Sequence, residues 1–393
     1  MFSRRTEWDL SPNALSRALA TRRAAGGSVV DLTITNPTAV GLQHPPSFFA
    51  ELVDSRSGTY EPEPLGLASA RESVAGYYRA RGSACDAQSV WLCASTSEAF
   101  AFLLALLCDP GDAVCVARPG YPLLDYLAAL SGVRLLQYPL RWDGRWSIDL
   151  AELRALVGRE PRLRAVVATS PGNPTGAVLS PAELAALEAL CAERELALLV
   201  DEVFADYPLD PKAGPLRSAL GERACLCFVL SGVSKVAVLP QWKLGWGVTC
   251  GPAAPAARAQ ERLALIADTF LSVGTPVQLA LPRILGAAPA LQAQVRSRIQ
   301  GNLATLRRAL AGGAASVCAG EGGWAAVVRM PALGGLDDEG WALALLESAG
   351  VLTHSGALYD LDGCHAVVSL LVEPERFAAG VSALAVEVGK RAG

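Results

Sequence analysis

The sequence predicts an α/β fold, in which a large domain with a mainly parallel, seven-stranded sheet flanked by helices is joined to a smaller α+β domain. Short apolar runs alternate with helical patterns from about residue 90 to 251, as in parallel sheets with helical crossovers. Most of these runs do not alternate between polar and apolar residues, which is typical of strands covered on both faces. From about residue 252 to 311 the chain becomes a long helical region rich in Ala, Leu, Gln and Arg.

Seven apolar runs define the predicted strands of the large sheet. Each is six to eight residues long, a usual length for a strand. In chain order they are VWLCAS (90–95), AVCVARP (113–119), VRLLQY (133–138), RAVVATS (164–170), LALLVDEV (196–203), CLCFVLSG (225–232) and WGVTCG (246–251).

Amphipathic helical segments lie between these strands. One helix is predicted over 97–108 and another over 180–194. The second segment begins with Ser180 as the N-cap, followed by Pro181 in the first turn and Glu183 three residues after the cap. This order of residues is typical of a capping box at a helix start.

The change of pattern after residue 251 indicates the domain organisation. The segment GGWAAVVRMP (322–331) predicts a strand, which is followed by a helix and short strands to the end. We expect residues 1–42 to form an N-terminal arm and part of the small domain. Residues 43–275 then form the large domain, and residues 276–393 form the small C-terminal domain.

Composition and charge exclude several classes of protein. The chain of 393 residues is 51% hydrophobic and 18% charged, as expected for a well-buried globular protein. Its net charge of −4 gives no overall attraction to nucleic acid or to a membrane surface. Its ten cysteines form no CxxC pair and no zinc-type spacing, so we expect no metal site. With no signal-peptide pattern at the start and no apolar run long enough to span a bilayer, we expect a cytoplasmic protein.

Two of the four lysines of the chain, Lys235 and Lys243, lie only eight residues apart, although Lys and Arg together number 34. A chain that uses arginine for most surface cations is expected to keep lysine where a primary amine is needed. Such an amine can lose its proton and form a Schiff base. The alternative is two solvated surface cations. Lys235 follows a predicted strand, so we expect it at the carboxyl edge of the sheet, where ligands bind.

Other polar residues also follow strands of the predicted sheet. Ser95, Thr96 and Ser97 lie where a strand ends and a helix begins, a place suited to phosphate but also common for ordinary helix caps. Asn173 is an amide within a proline-rich turn. Asp201 ends an apolar strand, where an unpaired carboxylate is costly. An amine, a carboxylate, an amide and a phosphate-binding helix start at one sheet edge match the groups of pyridoxal phosphate.

These residues lie in motifs by which the chain resembles the fold-type I, class I/II aminotransferases, which depend on pyridoxal phosphate. The separations of 28 residues from Asn173 to Asp201 and 34 from Asp201 to Lys235 follow the family. The resemblance covers nearly the whole chain. It implies transfer of an amino group between an amino donor and a 2-oxo acid by a ping-pong mechanism, with the cofactor bound in the large domain. The motifs are YEPEPLGLASARE (60–72), ASTSEA (94–99), RPGYP (118–122), SPGNPTG (170–176), DEVF (201–204) and SGVSK…KLGW (231–246).

The resemblance implies a role for each matched residue. Lys235 would form the Schiff base and move the proton at the substrate's α-carbon. Asp201 would pair with the pyridinium nitrogen, and Asn173 would donate to the ring oxygen. Tyr121 would stack on the ring, with a core aromatic as the alternative. The phosphate would be held by Ser95, Thr96, Ser97 and Ser234. The family also forms homodimers with shared active sites, so Tyr60 would reach the phosphate of the partner subunit.

Three positions depart from the family pattern. Lys243 stands where an arginine usually grips the phosphate, and its ammonium supplies the charge without the bidentate geometry. Phe204 stands where a tyrosine usually donates to the ring oxygen. Val367 stands where an arginine usually binds the α-carboxylate of the substrate. The last departure affects the substrate and leaves the cofactor prediction unchanged.

The candidate substrate contacts are Asn36, Arg329 and His354. Arg329 is the nearest replacement for the missing arginine, with a structural ion pair as the alternative. His354 is a substrate contact or an ordinary loop residue. We expect either a carboxylate held by Arg329 together with backbone N–H groups, or an amine that lacks this carboxylate.

Two alternative functions follow from the same observations. The substituted cofactor contacts also fit a pyridoxal-phosphate lyase, decarboxylase or related α-carbon enzyme on the aminotransferase scaffold. A ligand-sensing domain of a transcription regulator would need a DNA-binding module, and the residues before 33–41 are expected to be too few to form one.

Overall fold

Residues 1–45, 47–50, 52–214 and 216–393 are described by the structure, a computed structural model of the chain. Its strands are β1 (Val30–Asp31), β2 (Val90–Cys93), β3 (Ala113–Arg118), β4 (Arg134–Trp142), β5 (Trp146–Ile148), β6 (Leu163–Thr169), β7 (Ala197–Asp201), β8 (Cys227–Gly232), β9 (Gly245–Cys250), β10 (Ser316–Val317), β11 (Ala325–Arg329), β12 (Val351–Leu352), β13 (His354–Ser355) and β14 (His365–Ser369). Its α-helices are α1 (Ala14–Ala24), α2 (Ser47–Ala50), α3 (Ala68–Ala80), α4 (Thr96–Leu107), α5 (Leu123–Ser131), α6 (Leu150–Arg159), α7 (Pro181–Glu193), α8 (Val233–Val236), α9 (Ala253–Phe270), α10 (Thr275–Leu310), α11 (Asp338–Ala344) and α12 (Pro374–Ala392).

The large sheet has the strand order β2-β9-β8-β7-β6-β3-β4-β5. Its central strands are parallel, while β9 runs antiparallel to β2 and β8, and β5 runs antiparallel to β4. All seven predicted strands lie in this sheet, and the predicted α/β class is confirmed. The predicted number of strands was one too low, because β5 has only three residues and gives no recognisable apolar run.

Apolar residues on both faces of the sheet explain the missing polar alternation. Along β7, Leu198 belongs to one buried cluster and its neighbour Leu199 belongs to the other. Helices α4, α5 and α9 cover the cluster of Leu199, and helices α3, α6, α7 and α10 cover the cluster of Leu198. Every second side chain of a strand points to the same face. The strand is therefore apolar at each position before its last residue, Asp201.

Helix α7 begins as its sequence predicts. Ser180 is the N-cap and accepts a hydrogen bond from the backbone N–H of Glu183, while the Glu183 carboxylate accepts from the backbone N–H of Ser180. Both bonds of the capping box are therefore present. The helix packs on β6 and β7 behind the site described below.

The small domain contains a second sheet, with the strand order β10-β11-β14-β13, and a parallel pair formed by β1 and β12. Helix α10 connects the two domains, because it contacts α3 and α8 and also β10 and α12. The Gln292 side chain donates to the carbonyl of Val236 in α8, and the Asn302 side chain donates to the carbonyls of Leu370 and Val372 after β14. This helix begins at Thr275, and the predicted domain boundary at that residue stays a prediction. None of the helices that the structure describes has the length and apolar character needed to cross a membrane.

Two glycines, Gly320 in a loop of the small domain and Gly176 in the turn after β6, allow these two segments to contact each other. The backbone N–H groups of Glu321 and Gly322 donate to the Gly176 carbonyl at 2.8 and 3.2 Å. A Cβ atom on Gly320 would overlap the carbonyl oxygens of Thr175 and Gly176. Because backbone atoms form this contact on both sides, only glycine fits at position 320.

Gly320→Ala is therefore expected to lower the free energy of unfolding by about 1 to 3 kcal/mol, since the two loops must separate. We expect a reduced chemical denaturation midpoint and a changed near-ultraviolet circular dichroism signal from Trp324, which follows this loop. Gly286→Ala is the matched control, because Gly286 lies inside α10 with no atom within 4 Å of an added Cβ. That control should stabilise the protein by about 0.5 to 1 kcal/mol. Equal effects of both substitutions would contradict the proposed close contact.

Candidate active site

A cavity of about 440 Å³ lies at the carboxyl ends of the central strands, between the large sheet and the small domain. This is the position at which open α/β sheets bind ligands. Most of the residues predicted from the sequence line it. They are Ser95, Thr96, Ser97, Tyr121, Asn173, Asp201, Phe204, Ser234, Lys235, Lys243 and His354.

A carboxylate and an amine lie in the cavity where two adjacent strands of the sheet, β7 and β8, end. Asp201 is the last residue of β7 and accepts a hydrogen bond from the Val203 backbone N–H at 3.0 Å. Burial raises the pKa of Asp201 to about 6, although the nearby Lys235 charge acts in the opposite direction. Burial also lowers the pKa of Lys235, again opposed by Asp201. The cavity therefore makes the neutral amine of Lys235 more accessible near neutral pH.

Two aromatic rings lie beside the Lys235 amine. Its Nζ atom lies 5.0 Å from the ring centroid of Trp324 and 5.6 Å from that of Phe204. These rings contact each other edge to face, with centroids 5.3 Å apart. Phe204 follows β7 of the large sheet and Trp324 precedes β11 of the small domain, and both rings help to account for the desolvation of the amine. Trp324 was missed in the sequence, although the glycines just before it indicate a close backbone contact.

Helix α4 begins at the cavity. Ser95 is its N-cap and accepts from the Glu98 backbone N–H at 3.2 Å, while the Glu98 carboxylate accepts from the Ala94 backbone N–H. The backbone N–H groups of Thr96 and Ser97 belong to the first helical turn, which has no acceptors within the helix. They are thus available to an anion, and the helix dipole favours negative charge at the same place.

A glycine lets the neighbouring strand pass close to this helix start. A Cβ on Gly245 would lie 3.0 Å from the backbone carbon of Ser95. Lys243 lies two residues earlier, is exposed, and has a left-handed backbone conformation with φ of 49°. Its ammonium can therefore reach an anion held at the start of α4.

The small domain forms the opposite side of the cavity. His354 on β13 and Val367 on β14 are directly paired in the antiparallel sheet, and both line the cavity. The Nδ1 atom of His354 is hydrogen-bonded to the Tyr359 hydroxyl at 2.7 Å. Burial lowers the pKa of His354, an effect that Asp31 opposes. Tyr359 was not predicted as a site residue, because its position depends on the turn that follows β13.

Three predicted residues are not among the described residues that line the cavity. The Tyr60 side chain is 71% exposed. The Asn36 side chain accepts from the backbone N–H and the hydroxyl of Thr38, so it caps a short helical turn. Arg329 is exposed at the far end of β11, four residues beyond the cavity-lining Ala325. Within the described residues of this chain, Asn36 and Arg329 lie outside the cavity lining, and their contact with the substrate stays a prediction.

Comparison with known proteins identifies the family. The model of the family described as "Aminotransferase class I and II" matches residues 35–365 of this chain. Human tyrosine aminotransferase is 28% identical over 262 residues, which cover 63% of this chain and 57% of the relative. Glutamate-pyruvate aminotransferase of Escherichia coli strain K12 is 28% identical over 267 residues, covering 66% of this chain and 64% of the relative. The matched part is thus less than two thirds of each relative.

Solved structures show the same fold. Alanine aminotransferase from Pyrococcus furiosus superposes with a TM-score of 0.88 at 20% identity and covers 100% of both chains. A mutant of Thermus thermophilus aspartate aminotransferase superposes with a TM-score of 0.84 at 22% identity and covers 98% of this chain and 99% of the other. The family match extends over 331 of the 393 residues. The chain belongs to the class I and II aminotransferase family.

Proposed function

We propose that the protein is an aminotransferase dependent on pyridoxal phosphate, which moves an amino group between an amino donor and a 2-oxo acid in two half-reactions. The main observation in favour is the juxtaposition of a desolvated amine, Lys235, and a buried carboxylate, Asp201, at the edge of the sheet. Family membership and the names of the relatives agree with this activity. The same relatives do not favour the alternative of a lyase or decarboxylase.

The residues of the cavity fit the cofactor chemically. The anion position at the start of α4 suits the phosphate, which would be held by Ser95, Thr96, Ser97, Ser234 and Lys243. Asp201 suits a protonated ring nitrogen, and Asn173 can donate to the ring oxygen. Tyr121 and Phe204 would lie beside the ring. The buried indole N–H of Trp324 has no hydrogen-bond partner among the described residues, so a ligand can accept from it. When bound, the cofactor supplies an electron sink for the bonds at the substrate carbon.

The protein side chains would control the proton and the water. The Lys235 amine has a lowered pKa, so it can accept a proton near neutral pH and return it to another carbon. Trp324 and Phe204 cover this amine and exclude water from it. The Asp201 carboxylate would stabilise positive charge on the ring nitrogen.

A half-reaction without an acceptor tests this function. The holoenzyme is mixed with single amino donors, and the released oxo product and the aminated cofactor are quantified by mass spectrometry. One equivalent of each per active site is expected with a good donor. Release of carbon dioxide or an elimination product, without aminated cofactor, would instead support the alternative reaction class.

We further propose a cytoplasmic homodimer that binds neither nucleic acid nor membrane, in which Tyr60 completes the phosphate site of the partner subunit. The exposure of Tyr60 within one chain supports this arrangement. Mixing inactive Lys235→Ala subunits with impaired Tyr60→Ala subunits should restore activity in hybrid dimers, because one of the two sites then has both residues. The Tyr60→Ala enzyme alone is the control. Verified subunit exchange with no recovered activity would contradict sharing.

A further inference from the structure

The cavity contains few groups that could balance the negative charge of a substrate. Of the described residues that line it, only Lys235, Lys243 and Arg118 have an amine or guanidinium group. The proposed function uses both lysines for the cofactor. Arg118 is buried and already contacts two carboxylates, Asp125 at 2.6 Å and Asp360 at 2.8 Å. The positive charge of this guanidinium is therefore already balanced by two carboxylates and is not available to a carboxylate of the substrate.

His354 is the remaining cavity-lining group that can become positively charged. It is the register partner of Val367 on the adjacent strand. Directly paired side chains of antiparallel strands lie on the same face, with Cβ atoms about 4.5 to 5.5 Å apart. A cation at position 354 would thus act at nearly the same place as a cation at position 367.

The hydrogen bond to Tyr359 fixes the imidazole ring. Its Nδ1 atom and the hydroxyl are 2.7 Å apart, and the two ring centroids are 5.8 Å apart. When the Tyr359 hydroxyl donates to Nδ1, the other ring nitrogen, Nε2, must have the hydrogen in the neutral ring. A second proton then makes the ring a cation, with the tyrosine oxygen as acceptor for Nδ1.

We propose that His354, protonated when substrate binds and oriented by Tyr359, holds the carboxylate of the amino donor and of the 2-oxo acid. This inference rests on the proposed function. It assigns to a titratable side chain a contact for which this chain has no free arginine in its described cavity. Binding of a carboxylate should then be accompanied by uptake of a proton.

Titratable groups on the surrounding elements agree with this assignment. Asp31 on β1 favours the protonated imidazole. Tyr359 lies in the turn after β13 and can accept or donate. The Asp338 carboxylate on α11 accepts a hydrogen bond from the backbone N–H of His365. The His365 side chain on β14 has a lowered pKa, caused first by burial and then by Arg329. It is not among the described residues that line the cavity.

The pH dependence has a defined sign. Burial lowers the pKa of free His354 from the ordinary histidine value, which favours the neutral ring in the empty site. A bound carboxylate favours the charged ring and raises this pKa. Affinity for a carboxylate is therefore highest at low pH. It should fall by up to about tenfold per pH unit above the pKa of the free ring, until the pKa of the complex is reached.

The test uses a pair of unreactive probes that differ in charge, 3-phenylpropanoate and 3-phenylpropanamide. Their binding to the holoenzyme is measured by titration calorimetry between pH 6 and 8.5, in two buffers of different ionisation enthalpy. We expect the carboxylate to bind with uptake of up to one proton and to weaken as the pH rises. The amide should show neither effect.

Three variants separate this role from a structural one. His354→Gln should abolish the proton uptake and lower the affinity for the carboxylate probe at least tenfold at pH 6.5, while the affinity for the amide probe is unchanged. Tyr359→Phe should lower the affinity for the carboxylate probe less than His354→Gln does, and it should preserve the proton uptake. His365→Gln, in which the altered histidine lies outside the cavity lining, should behave as wild type.

Four results would overturn the proposal. Three concern the variants: unchanged carboxylate binding in His354→Gln, equal loss of binding of both probes in that variant, or loss of proton uptake in His365→Gln instead. The fourth is a carboxylate probe that binds the wild-type protein no better than the amide probe at pH 6. The amino-transfer function is judged separately, by formation of aminated cofactor from amino donors. The carboxylate-binding role of His354 and the amino-transfer function can therefore fail independently of each other.

Discussion

Replacing Lys235 with arginine is expected to abolish amino transfer. Arginine keeps the positive charge but cannot lose its proton under these conditions, so it can neither bind the cofactor aldehyde nor accept a proton from the substrate. Loss of the proton acceptor alone should lower kcat by about 10²- to 10⁴-fold. The measurement is donor-dependent formation of the oxo product under single-turnover conditions.

Lys243 provides the matched control for this substitution. It lies in the same cavity, but it is exposed and is placed beside the start of α4. Lys243→Arg should therefore keep most of the activity and bind the cofactor at least as tightly, since arginine contacts phosphate with two donors. Borohydride reduction of the holoenzyme and peptide mapping identify the modified lysine. A pyridoxyl group on Lys243 would contradict the assignment of Lys235.

Asp201→Asn is expected to stabilise the cofactor-free protein while it weakens the cofactor complex. The folded protein raises the pKa of this carboxyl from 3.8 to about 6. A raised carboxyl pKa means that the folded state binds the proton more tightly than the unfolded state. The wild-type protein therefore loses stability as the pH rises from about 3.8 to 6, by up to about 3 kcal/mol. The asparagine variant does not ionise and avoids this loss.

The opposite effect is expected when the cofactor is bound. A charge-assisted hydrogen bond contributes about 1.5 to 3 kcal/mol, so its removal should weaken cofactor affinity about 10- to 100-fold. Denaturant unfolding of the cofactor-free protein at pH 4 and pH 8, and fluorescence titration with pyridoxal phosphate, measure the two effects.

Glu202→Gln is the control for burial alone. Glu202 is the next residue in the chain, its pKa is raised to about 7 by burial, and its carboxylate accepts from the Ala219 backbone N–H and the Ser218 hydroxyl. It is not among the described residues that line the cavity. This variant should change stability without weakening the cofactor. Equal loss of cofactor affinity in both variants would show that Asp201 has no specific role.

The sequence predicted the large sheet and the polar residues that line the cavity at its edge because both depend on local order. Seven of the eight strands of that sheet are apolar runs, Asp201 is the last residue of β7, and Lys235 comes three residues after the end of β8. The substrate side depends on pairing between distant segments. The contact of His354 with Val367 requires the register of β13 and β14, which no local pattern determines.

Arg329 illustrates the same limit. Its face can be derived only once the register of β11 is known, since alternate residues of a strand point the same way. Ala325 lines the cavity and Val327 lies in a buried cluster, so Arg329 extends the same face beyond the cavity. Its place in the predicted small-domain segment GGWAAVVRMP (322–331) had made it the candidate replacement for the arginine missing at Val367.

Helix α10 has a consequence for how the chain tolerates insertions and deletions. Its Gln292 holds the short helix that contains Lys235, and its Asn302 holds the end of the strand that contains Val367. Ten residues of helix separate these anchors by about 15 Å. One added residue between them would shift the second anchor by about 1.5 Å and turn it by about 100°. The length of this segment thus fixes the distance between the helix of Lys235 and the strand of Val367. We expect homologues to keep this segment free of gaps while surface loops vary in length.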